Sequence, residues 1–594
     1  MIPDEKKPIP WGLPPLRSEV IQRQQQQQQQ QQKQSTEAHE IPASSSSAIQ
    51  EKPCLEKRSH AVSIEYPADD HYTYHAPGYV PLQQSSVHSN ADLPSPVKRM
   101  CILALGTISM VAALLYIRLV MYDPNIIDPG LFSATTLGTS VDTLEAVDLL
   151  LKAAADTQNT VAWDRLAEMT DLFGHRMTAS SGYDLSAEWV VNTTNALDTG
   201  LKAYTEPVWV DEWYRGSEKL QLLVPTRPGG VVDVPMLGLG RSPGTPPEGL
   251  EAQVIPVHSF EELQRLGKKT VFGNIVLYNF SYKGYGSTVR FRSRGAREAE
   301  KYGAIAVLVR TIAPDSSFHT VHTGTMAAAS IPAAAISLAD ANMIERMYDR
   351  SVRDSAKYVA PRVRLTMGAK LRENATQSAN VIIDLKGSES PNEVVLLSGH
   401  FDSWDVGVGA MDDGAGAFVA WEAARLISQI ASRPPRRTIR VVMWNNEETQ
   451  QRGAKAYYQH HRSEIAQHRF AIESDIGVFE PWGLSVRADA KLTRILEDYG
   501  KDLLKVLGAG NLTSSEVESP GQDIAVLCEN GVPCAGLLST NPENNAVPGD
   551  ALWDEHYFRY HHAPSDRVEI IDRHQLRRSA AALAAWAYLI ADLR

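Results

Sequence analysis

The stretch "VVLLSGHFDSWDVGVGAMDDGAG" (residues 394–416) starts as an apolar strand and then gathers His400, Asp402, Asp405, Asp412 and Asp413. Acids that close repel one another, and like-charged carboxylates force up each other's pKa. Three more acidic stretches lie further along. "WNNEE" carries Glu447 and Glu448, "IESDIG" carries Asp475, and "YHHAPSD" carries His561, His562 and Asp566. Any one of these reads as a solvated loop. Together they form a set that a dication would relieve, and two dications would relieve more completely. Carboxylate with imidazole suits zinc. Two such ions, about 3.5–4 Å apart, can share one carboxylate and clamp a hydrolytic transition state.

The flanking patterns explain how these groups could meet. Apolar strands ("EVVLLSGHFD", "TIRVVMWNNEE", "RFAIESDIG", "CAGLLS") alternate with helices ("DGAGAFVAWEAARLISQI", "GAKAYYQHHRSEIA", "DRHQLRRSAAALAAWAYLIADL"). Continuous apolar strands separated by helices predict an α/β fold. Its sheet is mixed, mostly parallel, and covered by helices on both faces. Ligands of such sheets gather at the carboxyl ends of the strands. In three of these strands the apolar run ends in the acids or the histidine, so one rim would collect them.

The rest of the 594 residues divides by composition. Residues 1–99 carry a glutamine tract, a serine run and scattered prolines, which predicts a disordered tail. Residues 100–122 hold a single charge, Arg118, and are long enough to span a bilayer. Lys98 and Arg99 precede them, placing the tail in the cytoplasm and the remainder outside. A signal-anchor is the preferred reading and a cleaved signal the alternative. Asn192, Asn279, Asn374 and Asn511 match the N-glycosylation pattern, and all follow the apolar segment. Residues 123–235 read as a stalk and the first part of the main body. Residues 236–365 read as a small inserted α+β domain rich in short strands, and 366–594 as the α/β block that carries the acid cluster. A lid contact for His319 and His322 in the insert is the sharper alternative to a plain loop. Exposure is the default for His460 and His461. Cys528 and Cys534 either pair or stay as thiols. The formal net charge of -12 argues against a nucleic-acid partner.

Taken together, "GHFDSWDVGVGAMDDGAGA", "WNNEE", "IESDIG" and "HHAPSD" resemble the motif series of the co-catalytic zinc exopeptidases, the aminopeptidase Y and carboxypeptidase Q group. The resemblance runs from about residue 145 to the C-terminus. It implies two zinc ions per chain. His400, Asp412 and Asp475 would hold one, and Asp412, Glu448 and His562 the other. It makes Glu447 the general base for the attacking water and Asp402 the acid that orients the His400 ring. It also implies a protease-associated-like character for the insert, dipeptides and short unblocked peptides as substrates, a homodimer, and a secreted protein, from which the tail and the anchor segment depart. Asn445 and Asn446 depart from the family's usual small or hydroxyl residue and alanine. Rival readings are a non-catalytic receptor of the transferrin-receptor type, aminopeptidase specificity, and glutaminyl cyclisation on one zinc. No role is assigned to Asp405, and Asp413 is expected to start the next helix.

Overall fold

Four apolar runs become the buried, parallel centre of an eight-stranded sheet. The computed structural model describes residues 139–372, 374–514, 520–541, 543–548 and 550–594. The tail (1–99) and the apolar segment (100–122) lie outside the described residues. Among those described, no helix is long and apolar enough to cross a membrane.

In spatial order the sheet runs Leu201–Val210, Thr376–Leu385, Arg437–Trp444, Ser390–His400, His468–Glu473, Cys534–Thr540, Glu480–Arg487 and Asn511–Ser514. Arg437–Trp444, Ser390–His400, His468–Glu473 and Cys534–Thr540 run parallel, while the Leu201–Val210 and Thr376–Leu385 side is antiparallel. Alternate side chains of a strand point to opposite faces. Val395 and Leu397 accordingly join the core under helices Ala415–Ile430 and Arg573–Asp592, whereas Val394 and Leu396 join the core of the other face, with Tyr457 and Leu527. This two-sided burial is why the strand carries an unbroken apolar run rather than alternation. The opposite core also holds Cys528 and Cys534, which are disulfide-bonded.

The chain leaves this sheet at Val210 and returns at Thr376. In between lies a second eight-stranded sheet, ordered Val231–Val234, Glu218–Leu223, Arg362–Met367, Leu250–Val257, Ile275–Tyr278, Ala306–Arg310, Ala333–Ile336 and Met236–Gly238. Helices Phe260–Val271 and Tyr285–Glu300 cover one of its faces, and Leu338–Arg353 covers the other. The expected domain boundary at 236 is therefore too late. Glu218–Leu223 and Val231–Val234 pair into the insert, the former antiparallel to Arg362–Met367. Apolar alternation marks these segments as strands, but the partner lies far along the chain and leaves no local trace.

Helix Ala415–Ile430 starts directly after the acid-rich loop, through a π-type turn over Ala410–Gly414. Its glycine-rich start reflects close packing, because a Cβ on Gly416 would sit 2.0 Å from the Ser474 carbonyl oxygen. Gly416→Ala should destabilise the fold by about 1–3 kcal/mol, the usual cost of overpacking. The urea unfolding midpoint measures this, and an unchanged midpoint would show that the helix can retreat from the sheet.

Candidate metal centre

The acids arrive at one rim because the parallel strands end there. His400 is the last residue of its strand. The neighbouring strand ends at Trp444 and turns at once into Asn445–Glu448. The third ends at Glu473, two residues before Asp475. Asp412 comes from the π-type turn, and His562 from the segment ahead of the last helix.

At the turn before the glutamates, Asn446 has φ +71°, a left-handed conformation that asparagine tolerates better than most residues. Its side-chain amide donates to Thr449 Oγ1 at 2.7 Å. Asn445 is fully buried. Its amide donates to Ser378 Oγ at 2.7 Å and its carbonyl accepts from Thr178 Oγ1 at 2.8 Å. The two departures from the family pattern thus build the turn that presents Glu447 and Glu448.

The structure brings the seven predicted residues together. His400 Nε2 lies 3.2 Å from Asp412 Oδ1, 3.3 Å from Asp475 Oδ1 and 4.0 Å from Glu447 Oε2. His562 Nε2 lies 2.9 Å from Glu448 Oε2 and 3.3 Å from Asp412 Oδ2. Asp412 therefore turns one oxygen to each histidine. His400, Asp412 and Asp475 are placed to share one ion, and so are Asp412, His561 and His562. His561 stacks on His562 with centroids 3.6 Å apart, its Nε2 3.6 Å from Asp412 Oδ2.

Asp402 is placed differently from expectation. His400 Nδ1 bonds the backbone carbonyl of Asp402 at 2.9 Å, while the carboxylate stays 3.9 Å away. That carboxylate instead accepts the Glu447 amide at 3.0 Å, with the Asn446 and Glu448 amides also directed at it. Its backbone orients the histidine and its side chain holds the glutamate turn. A short-range reading of "HFD" cannot separate the two.

The donor set fits a cation. Burial lowers the His562 pKa well below its ordinary value, so the ring is neutral. Its Nδ1 lies 3.3 Å from Arg292 Nη1, and the Thr323 backbone also bonds the ring. Nε2 faces the oxygens of Glu448 and Asp412, and Asp412 Oδ2 and Glu448 Oε1 are buried without a hydrogen-bond donor. Carboxylate oxygens crowded in this way need a positive charge between them. Without a metal ion, protons must serve: burial, with Asp412 close by, holds Glu448 well above the usual carboxylate range. Burial likewise raises Glu447 to about 8, reinforced by Asp475 and opposed by His400. Burial works against a charged His400, but Asp475 and the hydrogen bonds to Asp412 and Asp475 outweigh it and hold its pKa well above normal.

Several supporting residues went unread in the sequence. Asp566 is buried and accepts the Met411 amide at 2.7 Å and the Asp412 amide at 3.2 Å, fixing the turn that carries Asp412. Asp413 does not simply start the helix, because its buried carboxylate accepts the His400 amide at 3.0 Å. Arg176, fully buried, donates to the carbonyls of Phe401, Val408 and Gly409 at 2.6–2.8 Å and closes the loop between His400 and Asp412. Asp405 pairs with Arg215 through two bonds of 2.6 and 2.8 Å, and Arg215 also donates to Thr323 Oγ1 at 3.3 Å in the insert. "RG" or "D" in isolation carries no sign of such partners. His319 is an exposed loop residue, whereas His322 is buried, bonded to the Thr311 hydroxyl and directed at the Phe558 and Arg559 backbone. His460 is exposed, but His461 is half-buried and pairs with Glu206 at 3.0 Å.

The profile of peptidase family M28 matches residues 380–587. Human carboxypeptidase Q is 38% identical over 437 residues, covering 73% of this chain and 85% of that protein. The chain belongs to peptidase family M28. Within it the chain is carboxypeptidase Q-like, a metallo-exopeptidase of the hydrolase class. The Xenopus laevis carboxypeptidase Q is 36% identical over 75% of this chain and 88% of its own length. A peptidase M28 precursor from Shewanella amazonensis SB2B has a solved structure that superposes with TM-score 0.67 at 29% identity, covering 76% of this chain and 97% of that one. The zinc aminopeptidase BSAP from Bacillus subtilis shares the fold, with TM-score 0.53 at 18% identity over 73% of this chain and 97% of that one.

Two outcomes follow for this M28 centre. Chelation should lower the unfolding temperature, and added zinc should restore it, because a ligand bound only by the native state stabilises that state. Asp405→Asn should cost about 2–3 kcal/mol of stability, less than a fully buried pair because both partners keep some water contact. Urea unfolding measures it.

Proposed function

We propose that this M28 protein is a two-zinc exopeptidase that hydrolyses dipeptides and short unblocked peptides. The observation that carries the reading is Asp412, whose two oxygens lie 3.2 Å from His400 Nε2 and 3.3 Å from His562 Nε2. His400, Asp412 and Asp475 would hold one zinc, and Asp412, Glu448 and His562 the other. When bound, the ions supply Lewis acidity that polarises the scissile carbonyl and acidifies the attacking water.

The chain's own residues move the proton. Glu447 stands beside the ligand cluster and lines the cavity that faces it. Its carboxylate takes the proton of the attacking water and returns it to the leaving amine. Burial suits both halves of that exchange, since it strengthens the carboxylate as a base and keeps the acid form available near neutral pH. Asp402 fixes the backbone of Glu447, and the Asp402 carbonyl fixes the His400 ring.

The protein is assigned to the secretory pathway, either secreted or anchored through residues 100–122. The Cys528–Cys534 disulfide supports an oxidising compartment. Asn192, Asn374 and Asn511 are exposed and suit glycosylation, whereas Asn279 is buried and bonds Asn342, so it is not part of that support. A homodimer belongs to the same proposal.

Glu447→Gln should reduce dipeptide turnover by at least about 1,000-fold, within the usual contribution of general acid–base catalysis. Its zinc content should stay near two per chain by atomic emission. Loss of zinc in step with activity would mean that Glu447 is a ligand and Glu448 is not. Wild-type protein with both ions and no turnover of any unblocked dipeptide would overturn the exopeptidase reading.

A further inference from the structure

Helix Arg452–His460 and the turn before it form one wall of the cavity above the acid cluster, through Gln450, Gln451 and Lys455. The two ends of the helix are held in different ways. At its start the Gly453 amide donates to the Asn445 carbonyl at 2.9 Å, and the Gly453 carbonyl accepts from the Asn380 amide at 3.0 Å. Neither bond involves a titrating group. At its far end the chain passes into His461, whose ring lies between two carboxylates. Nε2 is 3.0 Å from Glu206 Oε1, on the edge strand Leu201–Val210, and Nδ1 is 3.3 Å from Glu464 Oε2. The His461 and Glu206 side chains are only 13% and 15% exposed.

An ionised carboxylate only accepts, and a neutral imidazole has one N–H, so a neutral His461 would satisfy one neighbour and turn a lone pair to the other. The protonated ring donates to both. His468 close by shows the opposite arrangement. Its Nε2 meets the Tyr457 hydroxyl at 2.8 Å and its Nδ1 the Glu464 carbonyl at 3.1 Å, partners that a neutral ring satisfies, and burial lowers its pKa to about 4. The other charged and titratable groups around His461 are Tyr204 on the edge strand, Asp384 and Arg440 on the next two strands, and Tyr457 and His460 on the helix. Arg440 is already engaged by Asp384 through bonds of 2.7 and 3.0 Å. Burial works against a charged His461, and so does Arg440, but the Glu206 and Glu464 contacts outweigh them and raise its pKa above the ordinary 6.5.

We infer that His461 is an acid-strengthened clasp that fastens the far end of this cavity-wall helix to the edge strand of the sheet. Protonated, the ring bridges Glu206 and Glu464 and packs on the Tyr457 ring, with centroids 4.2 Å apart. Loss of the proton removes one of the two charge-assisted bonds and sets a lone pair against a carboxylate. The folded-state pKa lies above the unfolded one, so the clasp is complete below about pH 6.5 and is lost as the pH rises through the raised value. Gly453 is fixed independently, so the helix opens from His461 inward and the glutamate turn stays in place.

The test follows the melting temperature of the zinc-loaded full-length protein at about pH 6 and about pH 9, on either side of the titration. His461→Gln should lower it by about 1–2 °C at the lower pH, the scale of one partly exposed ion pair in a body of this size, and by less than half as much at the higher pH. Glu206→Gln should behave alike, and combining the two should cost less at the lower pH than the two single losses added together. His319→Gln, in an exposed loop, should leave both temperatures unchanged. Hydrogen exchange at about pH 6 should show residues 457–464 of His461→Gln losing protection about 5-fold, while residues 445–453 keep theirs.

Equal losses at both pH values in His461→Gln would make the residue a packing partner of Tyr457 and overturn the assignment. So would a larger loss at the higher pH, fully additive losses in the double variant, or a matching shift in His319→Gln. Loss of protection that reaches residues 445–453 would overturn the opening from the far end. If His461→Gln does not fold, Glu206→Gln and Glu464→Gln decide by the same comparison of the two pH values.

Discussion

Five carboxylates, Asp402, Asp412, Asp475, Glu447 and Glu448, are crowded around two imidazoles at one sheet rim, and everything else in the catalytic domain is arranged to tolerate that. In water such groups would disperse. Here the strand ends fix their backbones, and the cores on both faces of the sheet keep most of them from solvent. The cost of burying each charge is met by amides, by arginine at a distance and by whatever cation the rim holds. Asp402 is satisfied by the backbone of the glutamate turn and Asp566 by the backbone of the Asp412 turn. Arg176 is a buried cation whose charge is felt by Asp566, Asp402 and Asp413. Asp412 Oδ2 and Glu448 Oε1 have no such partner, and neither do Asp402 Oδ2 and Asp413 Oδ1 in the loop behind them.

The same constraint ties the insert to the centre. His562 has φ +60°, an uncommon conformation for a non-glycine residue, and such a position persists only when its surroundings over-determine it. Those surroundings are largely insert. The Thr323 amide donates to the His562 carbonyl at 2.9 Å, and the Thr323 carbonyl faces the ring. Arg215 links the Thr323 hydroxyl to Asp405 in the acid-rich loop. Trp404 packs so closely on Gly240 of the insert that a Cβ there would approach it to 2.0 Å. The inserted domain is therefore continuous with the centre and not an appendage that happens to be encoded in mid-chain.

Much of this architecture was legible because it depends on local pattern. Unbroken apolar runs such as "VVLLSG" mark strands buried on both faces, and the residues that break each run fall at the rim by the logic of parallel sheets. His400, Glu447, Glu448 and Asp475 could be picked out for that reason, Asp412 was added from the following loop, and the resemblance selected His562 and sorted all six into roles. What was not legible depends on contacts between distant segments. Nothing near Glu218 says that its strand pairs with Arg362–Met367. Nothing near Asp405 names Arg215, and nothing in "RFRSRGAREAE" separates the buried Arg292 from its exposed neighbours. Asp402 shows the intermediate case. Its place behind His400 was readable, but whether the backbone or the carboxylate makes the bond is set by three-dimensional direction alone.

That direction also explains why two adjacent glutamates can differ. Along a regular strand, neighbours would point to opposite faces and only one could reach the rim. The strand has already ended at Trp444, and the left-handed Asn446 redirects the chain before the pair. The Asp402 carboxylate then fixes the Glu447 amide, so the two side chains leave one pinned turn in different directions. Glu448 meets His562 at 2.9 Å, while Glu447 approaches no histidine nearer than 4.0 Å from His400. A group in close contact with an imidazole nitrogen is positioned to share a cation with it. A group one step back, in the cavity wall, is positioned to exchange a proton with what enters the cavity. The unequal placement of the pair thus follows from a single backbone reversal held by one buried carboxylate.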